Sequence, residues 1–349
     1  MRIRPAVALS AIALIGTGCS LTTENGGVDD AAPGECGEVV LVTHDSFDLP
    51  KQVVKDFEEE SGCALVHSPA GDGGELTSKL TVTQGDPIGD VAFGVDSTFA
   101  GAALDEGVFA SYDADLPAGA DQYLLPGDDD HVLTPIDNAS VCVNVDNAWF
   151  ADEGIEPPTT LDDLTDPTYR DLFVTPAATT STPGLAFLLA TIGEYGDGWA
   201  SYWDDLLANG AKVVKGWEDA YYVDFSFSGG DRPIVLSYDT SPAYTVKKGE
   251  SSTAALLDTC FRQVEYAGVL EGAANPEGAE QVVDFLLSRA VQEALPTSMY
   301  VFPVDADAAL PPEWAEFAEQ PAAPIDVSPD DISDHRREWL TEWTDITSG

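Results

Sequence analysis

What most constrains the fold of this chain is an alternation between short apolar runs and helix-length amphipathic segments. Val39-Val40-Leu41-Val42 is a buried-strand run, and residues 51–60 follow it with Val53, Val54 and Phe57 at helical spacing. Residues 90–95 form another strand. Phe173-Val174, residues 212–214 and residues 233–237 repeat the pattern, with helices such as residues 184–192 between them. Such alternation predicts an α/β fold of parallel sheets with helices on both faces. Two such units in 349 residues predict two lobes with a cleft between them. No internal repeat or heptad run is present.

The start of the chain is an address. Arg2 and Arg4 precede an apolar run over residues 6–15, too short to span a bilayer as a permanent helix. Gly16-Thr17-Gly18-Cys19 follows, so residues 1–19 resemble a bacterial lipoprotein signal with Cys19 as the lipidated residue. Residues 20–36 are small, polar and acidic, and read as a flexible tether. No later stretch reaches eighteen apolar residues, so any membrane attachment is expected through the lipid alone.

Four further cysteines suit an exported, oxidising setting and allow three pairings. Cys36 and Cys63 each lie just before a strand of one strand–helix–strand unit. Parallel neighbours start at the same sheet edge, which predicts Cys36–Cys63. Cys142–Cys260 follows by elimination, in the two segments expected to cross the hinge. Metal binding by these cysteines lacks both CxxC spacing and a Cys/His cluster.

The net charge of −47, from 15 basic and 62 acidic residues, excludes nucleic-acid binding. Such acidity serves solubility first, and secondarily makes a field that attracts cations. The run Asp128-Asp129-Asp130 lacks calcium-loop spacing and reads as a solvated loop. GxSxG, HExxH and Walker signatures are absent, which leaves no specific support for an enzyme.

Pro157-Pro158-Thr159-Thr160-Leu161-Asp162-Asp163-Leu164 looks like the opening of the second lobe of bacterial solute-binding proteins, and Ala274-Asn275-Pro276-Glu277 resembles their return to the first. More narrowly, three segments in order closely resemble the thiamine-binding proteins of thiamine ABC importers. They are Ser181-Thr182-Pro183-Gly184-Leu185, Val214-Lys215-Gly216-Trp217, and residues 236–244 containing Ser241-Pro242-Ala243-Tyr244. Asp45-Ser46-Phe47, Gly94-Val95-Asp96 and residues 296–300 also match, so the likeness runs from about residue 39 to 343. It implies a two-lobed periplasmic-binding-protein-like fold, with residues 37–135 and 261–323 as lobe one and 144–257 as lobe two. Residues 324–349 should add a helical segment, with a helix over 336–344 burying Trp339 and Trp343. The implied partners are thiamine and the permease and ATPase subunits of an importer. The implied protein is a monomer without catalysis, cofactor or metal, exported and lipid-anchored on the outer face of the cytoplasmic membrane or periplasmic.

Thiamine is a permanent cation with a flat ring, so its site needs aromatic faces and hydrogen-bond partners. Trp217, Tyr221, Tyr238, Tyr244 and Tyr300 are the aromatic candidates that the resemblance implies for the cleft wall, and Trp217 and Tyr244 also follow strand ends, where open α/β sheets place ligands. Asp45, Asp72 and Asp96 follow strands of the first lobe and could balance the ring charge or cap helices. Ser46 and Ser241 are the adjoining polar candidates. Ser181 and Thr182, ahead of Pro183, open a helix whose free N–H groups could hold the hydroxyethyl tail or a phosphate. The family often has Arg where this chain has Thr179, and Thr where it has Asp239; both changes favour free thiamine over its phosphates. His44 replaces a family tyrosine, Tyr300 stands in place of a tryptophan, and Asp48-Leu49-Pro50 lacks a tryptophan that some relatives carry. Ferric ion, through Tyr238, Tyr244 and His44, or a polyamine is the alternative ligand on the same architecture.

Overall fold

The computed structural model describes residues 36–348; the leader, Cys19 and residues 20–35 of the tether lie outside them. In chain order the strands are β1 (Gly37–Thr43), β2 (Cys63–Pro69), β3 (Val91–Asp96), β4 (Thr134–Asp146), β5 (Phe173–Pro176), β6 (Lys212–Val214), β7 (Ile234–Tyr238), β8 (Val246–Lys247), β9 (Glu250–Ser251), β10 (Thr253–Ala255), β11 (Phe261–Val269) and β12 (Phe302–Pro303). Ten of these form one sheet with the order β2-β1-β3-β11-β4-β7-β5-β6, where β10 and β12 both pair with β4; β8 and β9 make a separate hairpin.

The sheet is mixed rather than parallel throughout. Its outer parts are parallel, β2-β1-β3 on one side and β7-β5-β6 on the other. The two central strands run antiparallel to both of their path neighbours. This follows from the chain path: β4 leaves the first lobe for the second and β11 returns beside it, so the two must run oppositely. All thirteen residues of β4 are buried. The residues near its start pair with β11, and Val141–Val145 pair with β7.

Strand alternation sorts the first lobe's core onto two faces. Val39, Leu41, Val91 and Phe93 pack under the helices Pro276–Leu287 and Arg289–Ser298. Val42, Ala92 and Val95 face Leu76 and Leu80 of the helix Gly73–Val82. In the second lobe, Val143, Val145, Ile234 and Leu236 pack on the helices Thr182–Tyr195 and Trp199–Ala208. Each fully buried Leu or Phe stabilises by about 1.5–3 kcal/mol. Because the sheet is continuous, the two cores belong to one compact unit.

Gly37 pairs with Cys63 in the β1–β2 register, and Cys36 and Cys63 are bonded, with Cα atoms 4.5 Å apart. Cys142 on β4 bonds Cys260 just before β11, at a Cα separation of 4.2 Å. The second bridge fastens the two crossing strands beside the place where β4 exchanges β11 for β7.

The final helix is longer than its aromatic spacing suggests and spans Pro329–Thr347. Trp343 is buried edge-on against Trp203, with ring centroids 5.5 Å apart, whereas Trp339 is only half-buried. The i, i+4 spacing puts both indoles on one side of the helix, but Trp343 lies over the second-lobe core and Trp339 stacks on His335 at its margin. Nearer the start of the helix, the Arg336 guanidinium sits 5.6 Å over the Phe99 ring of the first lobe.

Candidate functional site

The sheet's two parallel halves point their β-to-α loops at each other, and between those loops lies a cavity of about 290 Å³. From the first lobe come the loop after β1, the start of the helix Gly73–Val82, and Tyr300. From the second come the segment after β6, the short helix Ser241–Tyr244, and the start of the helix Thr182–Tyr195.

Asp45 is tied to the next loop by two hydrogen bonds of 2.9 Å each. Its carboxylate accepts from the Gly71 N–H, and its own N–H donates to the Gly71 carbonyl. Ser46 lines the cavity mouth and reaches Glu218 of the other lobe at 3.5 Å. Asp72 caps the helix behind it by accepting from Gly73 at 2.7 Å. The same carboxylate crosses the cleft, accepting from the Trp217 N–H at 2.8 Å and the Thr182 N–H at 3.3 Å. Lys215 pairs with Glu75 at 3.0 Å, and the Glu75 N–H donates to the Thr180 carbonyl at 3.2 Å. The contacts of Ser46 with Glu218, of Asp72 with Trp217 and Thr182, and of Glu75 with Lys215 and Thr180 join opposite lobes, so the conformation is closed.

The aromatic wall belongs mostly to the second lobe. Trp217 stacks on Tyr221, with centroids 5.1 Å apart and planes 19° apart, and meets Tyr238 at 6.1 Å. Its indole N–H donates to the Ser237 hydroxyl at 2.9 Å, and Ser237 is in turn 2.7 Å from the Ser241 hydroxyl. Ser241 thus holds the tryptophan from behind, in addition to lining the cavity. Tyr244 meets Tyr300 edge-on at 4.9 Å, which joins the second-lobe wall to the first lobe. Tyr300 adopts a left-handed backbone, φ 56°, directly after a helix. Its ring is brought over the cleft by a conformation that a residue with a Cβ adopts at a cost of about 1–2 kcal/mol.

Glu265, on β11, lines the floor and is 6% exposed. Asp137 and Asp96 are its register partners on β4 and β3, both fully buried. Burial first, and the Asp137 charge second, push the Glu265 carboxyl well above the usual range. Burial likewise pushes Asp137 up, and raises Asp96 to about 6. Asp72 is also raised by burial, against the opposing hydrogen bond from the Trp217 N–H. His44, 3.5 Å from Glu265, is held down at about 4 by burial and so is neutral at pH 7.

Of the residues that the sequence proposes for ligand contact, Asp45, Ser46, Asp72, Thr182, Trp217, Tyr221, Tyr238, Ser241, Tyr244 and Tyr300 line this cavity. Asp96 and Ser181 do not. Asp96 turns its carboxylate to the backbone N–H groups of Thr98 and Phe99, at 2.9 and 3.0 Å, and to the Thr98 hydroxyl at 2.7 Å. Ser181 is wholly buried at the cap position behind Thr182. The helix start that could hold a phosphate gives the Thr182 N–H to Asp72 instead. Residues missed by sequence reasoning include Glu265, Tyr222 and Met299. Glu265 sits in a strand, and only the register of three strands puts it on the floor.

A continuous sheet crossed by two antiparallel strands, with a closed aromatic and acidic cleft above them, defines a protein that folds two lobes around a small solute. The chain belongs to the bacterial extracellular solute-binding proteins, the family whose profile matches residues 86–328. It is 32% identical to the thiamine-binding periplasmic protein of Salmonella typhimurium, over 90% of this chain and 94% of that one. Identity to the thiamine-binding periplasmic protein of Escherichia coli is 31%, over 87% and 92%. Among solved structures, a periplasmic thiamin binding protein superposes with a TM-score of 0.78 at 28% identity, covering 89% of this chain and 96% of that one.

Proposed function

We propose that the protein captures thiamine outside the cytoplasm and delivers it to the permease and ATPase subunits of an ABC importer, without chemical change to the ligand. The observation that carries this reading is the stack of Trp217 on Tyr221 facing a carboxylate floor across a closed cleft. Aromatic faces and buried carboxylates suit a flat, permanent cation, each cation–π contact contributing about 0.5–2 kcal/mol. Lys215 is paired with Glu75, and the Thr182 N–H is engaged by Asp72, so free thiamine fits better than its phosphates. Cleft closure around the ligand is the state the importer would recognise, with lobes of residues 37–135 plus 261–323 and 144–257. Cys19 is proposed as the lipid anchor, and the protein as a monomer.

Ferric ion is the rival ligand. Titration calorimetry of the purified protein separates the readings. Heat and thermal stabilisation with thiamine, weaker with thiamine monophosphate, support the proposal; no response to thiamine together with a response to ferric ion or a polyamine refutes it.

A further inference from the structure

We infer that the cleft takes up its cation in exchange for a proton held between Glu265 and Asp137. This rests on the reading that the ligand is thiamine or a like cation, and adds a coupling that the reading alone does not contain.

Glu265 and Asp137 are direct cross-strand partners on the two strands that join the lobes. Glu265 lines the cavity with its side chain 8% exposed, and His44 Nε2 lies 3.5 Å from its carboxyl oxygen. Both Asp137 oxygens are buried and without a hydrogen-bond donor among the described residues. Directly opposite residues of an antiparallel pair carry their side chains on one face with Cβ atoms about 4.5–5.5 Å apart, and two carboxyls so placed can bond only with a proton between them.

The groups nearest the pair are acids, an imidazole and a phenol. Facing Glu265 are His44 after β1, Asp72 at the start of the helix Gly73–Val82, Asp96 on β3, Asp137 on β4 and Tyr238 on β7. His44 is neutral at pH 7, and burial drives the Tyr238 hydroxyl further from ionisation. Lys215 lines the cleft but is engaged by Glu75. In the empty cleft, then, the Glu265–Asp137 pair shares one proton and carries one negative charge rather than two. A permanent cation seated above it supplies the same charge, and an opposite charge within about 4–6 Å lowers a carboxyl pKa by about 1–3. The proton leaves to the solvent, no other bond changes, and the ligand's charge replaces it.

By linkage, release of one proton makes the affinity rise by up to about tenfold per pH unit while the pair is still protonated in the empty protein. Calorimetry of thiamine binding near pH 7, in buffers of different ionisation enthalpy, counts the protons. The expected result is close to one proton released per ligand, falling to near zero in Glu265→Gln, whose affinity is lower and flat with pH. Asp137→Asn should behave alike, with thermal melts establishing that both variants fold. Infrared spectroscopy of the empty protein should show a protonated buried carboxyl that disappears on thiamine addition. Thiamine binding without proton release, equal release in both variants, or absence of that carboxyl band at pH 7 overturns the exchange. Absence of any thiamine heat while the band is present overturns the ligand reading instead.

Discussion

A single methyl group at Gly73 should hold the cleft open. A Cβ built there would lie 2.1 Å from the Thr182 hydroxyl of the opposite lobe, where ordinary contact begins at 3.4 Å. Inside its own lobe the same methyl meets nothing nearer than the Gly94 carbonyl at 3.5 Å. Gly73→Ala therefore leaves the first lobe intact, and restricting the unfolded chain can even stabilise it by about 0.4–1 kcal/mol. Closure is another matter. Moving the second lobe back with Thr182 by about 1 Å stretches both the bond from Asp72 to the Trp217 N–H, now 2.8 Å, and the bond to the Thr182 N–H, now 3.3 Å, beyond hydrogen-bonding distance. Bonds to a charged group contribute about 1.5–3 kcal/mol each, so the closed state loses about 3 kcal/mol. Affinity for thiamine then falls by up to about 150-fold, the full effect applying when the empty cleft stands open. Calorimetry on Gly73→Ala, Thr182→Ala and the double variant should yield a coupling of at least about 1 kcal/mol, because Thr182→Ala removes the obstructing hydroxyl. A melting temperature unchanged or raised, with affinity sharply reduced, is the expected signature. Affinity within threefold of the parent, or additivity in the cycle, refutes the reasoning.

Replacing Cys142 and Cys260 by serine should lower the unfolding free energy by about 2–5 kcal/mol, read from the midpoint of a urea titration, since the bridge closes a loop of 118 residues. Trp343→Ala should cost about 3–5 kcal/mol in the same assay, because it empties a site against the fully buried Trp203. Asp96 and Asp239 are buried and held up at about 6 and about 7, above the ordinary 3.8 of the unfolded chain. From 3.8 up to each raised value the folded state binds more protons, so each contributes a loss of up to about 1.4 kcal/mol per unit as pH rises, ending near pH 6 for Asp96 and near pH 7 for Asp239. Denaturant titrations of the empty protein should thus show stability falling from pH 5 to pH 7; a rise over that range would contradict the assignment. Trp217→Ala should weaken thiamine binding by tenfold or more, whereas Asp130→Ala, on an exposed loop, should leave it unchanged.

The lobes were legible because their elements carry local signals. Val39 to Val42 reads as a strand on composition alone, and Asp72-Gly73-Gly74 announces a capped helix. Trp217 and Tyr244 were reachable because each follows a strand end at the cleft, and Tyr238 because the segment around it resembles the family. The floor was not. In Arg262-Gln263-Val264-Glu265-Tyr266 nothing distinguishes an acid facing solvent from one facing a cavity. That depends on which strands flank β11, and both partners, β3 and β4, are more than a hundred residues away. Asp96 illustrates the opposite error: an acid at a strand end serves a cap and a ligand equally well in sequence, and here the cap takes it. The antiparallel centre of the sheet was equally hidden, since strand composition does not record direction.

Tyr300 sets two selective pressures against each other. Its left-handed backbone would be relaxed by glycine, the residue that adopts such angles freely. Glycine would also delete the ring that meets Tyr244 at 4.9 Å and completes the wall from the first lobe. A library screened for heat resistance alone should therefore accumulate Tyr300→Gly and shed affinity, while one screened for ligand capture should retain the tyrosine and its strain. At this position the fold tolerates a locally unfavourable backbone to keep a binding surface, which makes it a place to measure how far stability and recognition can be tuned apart.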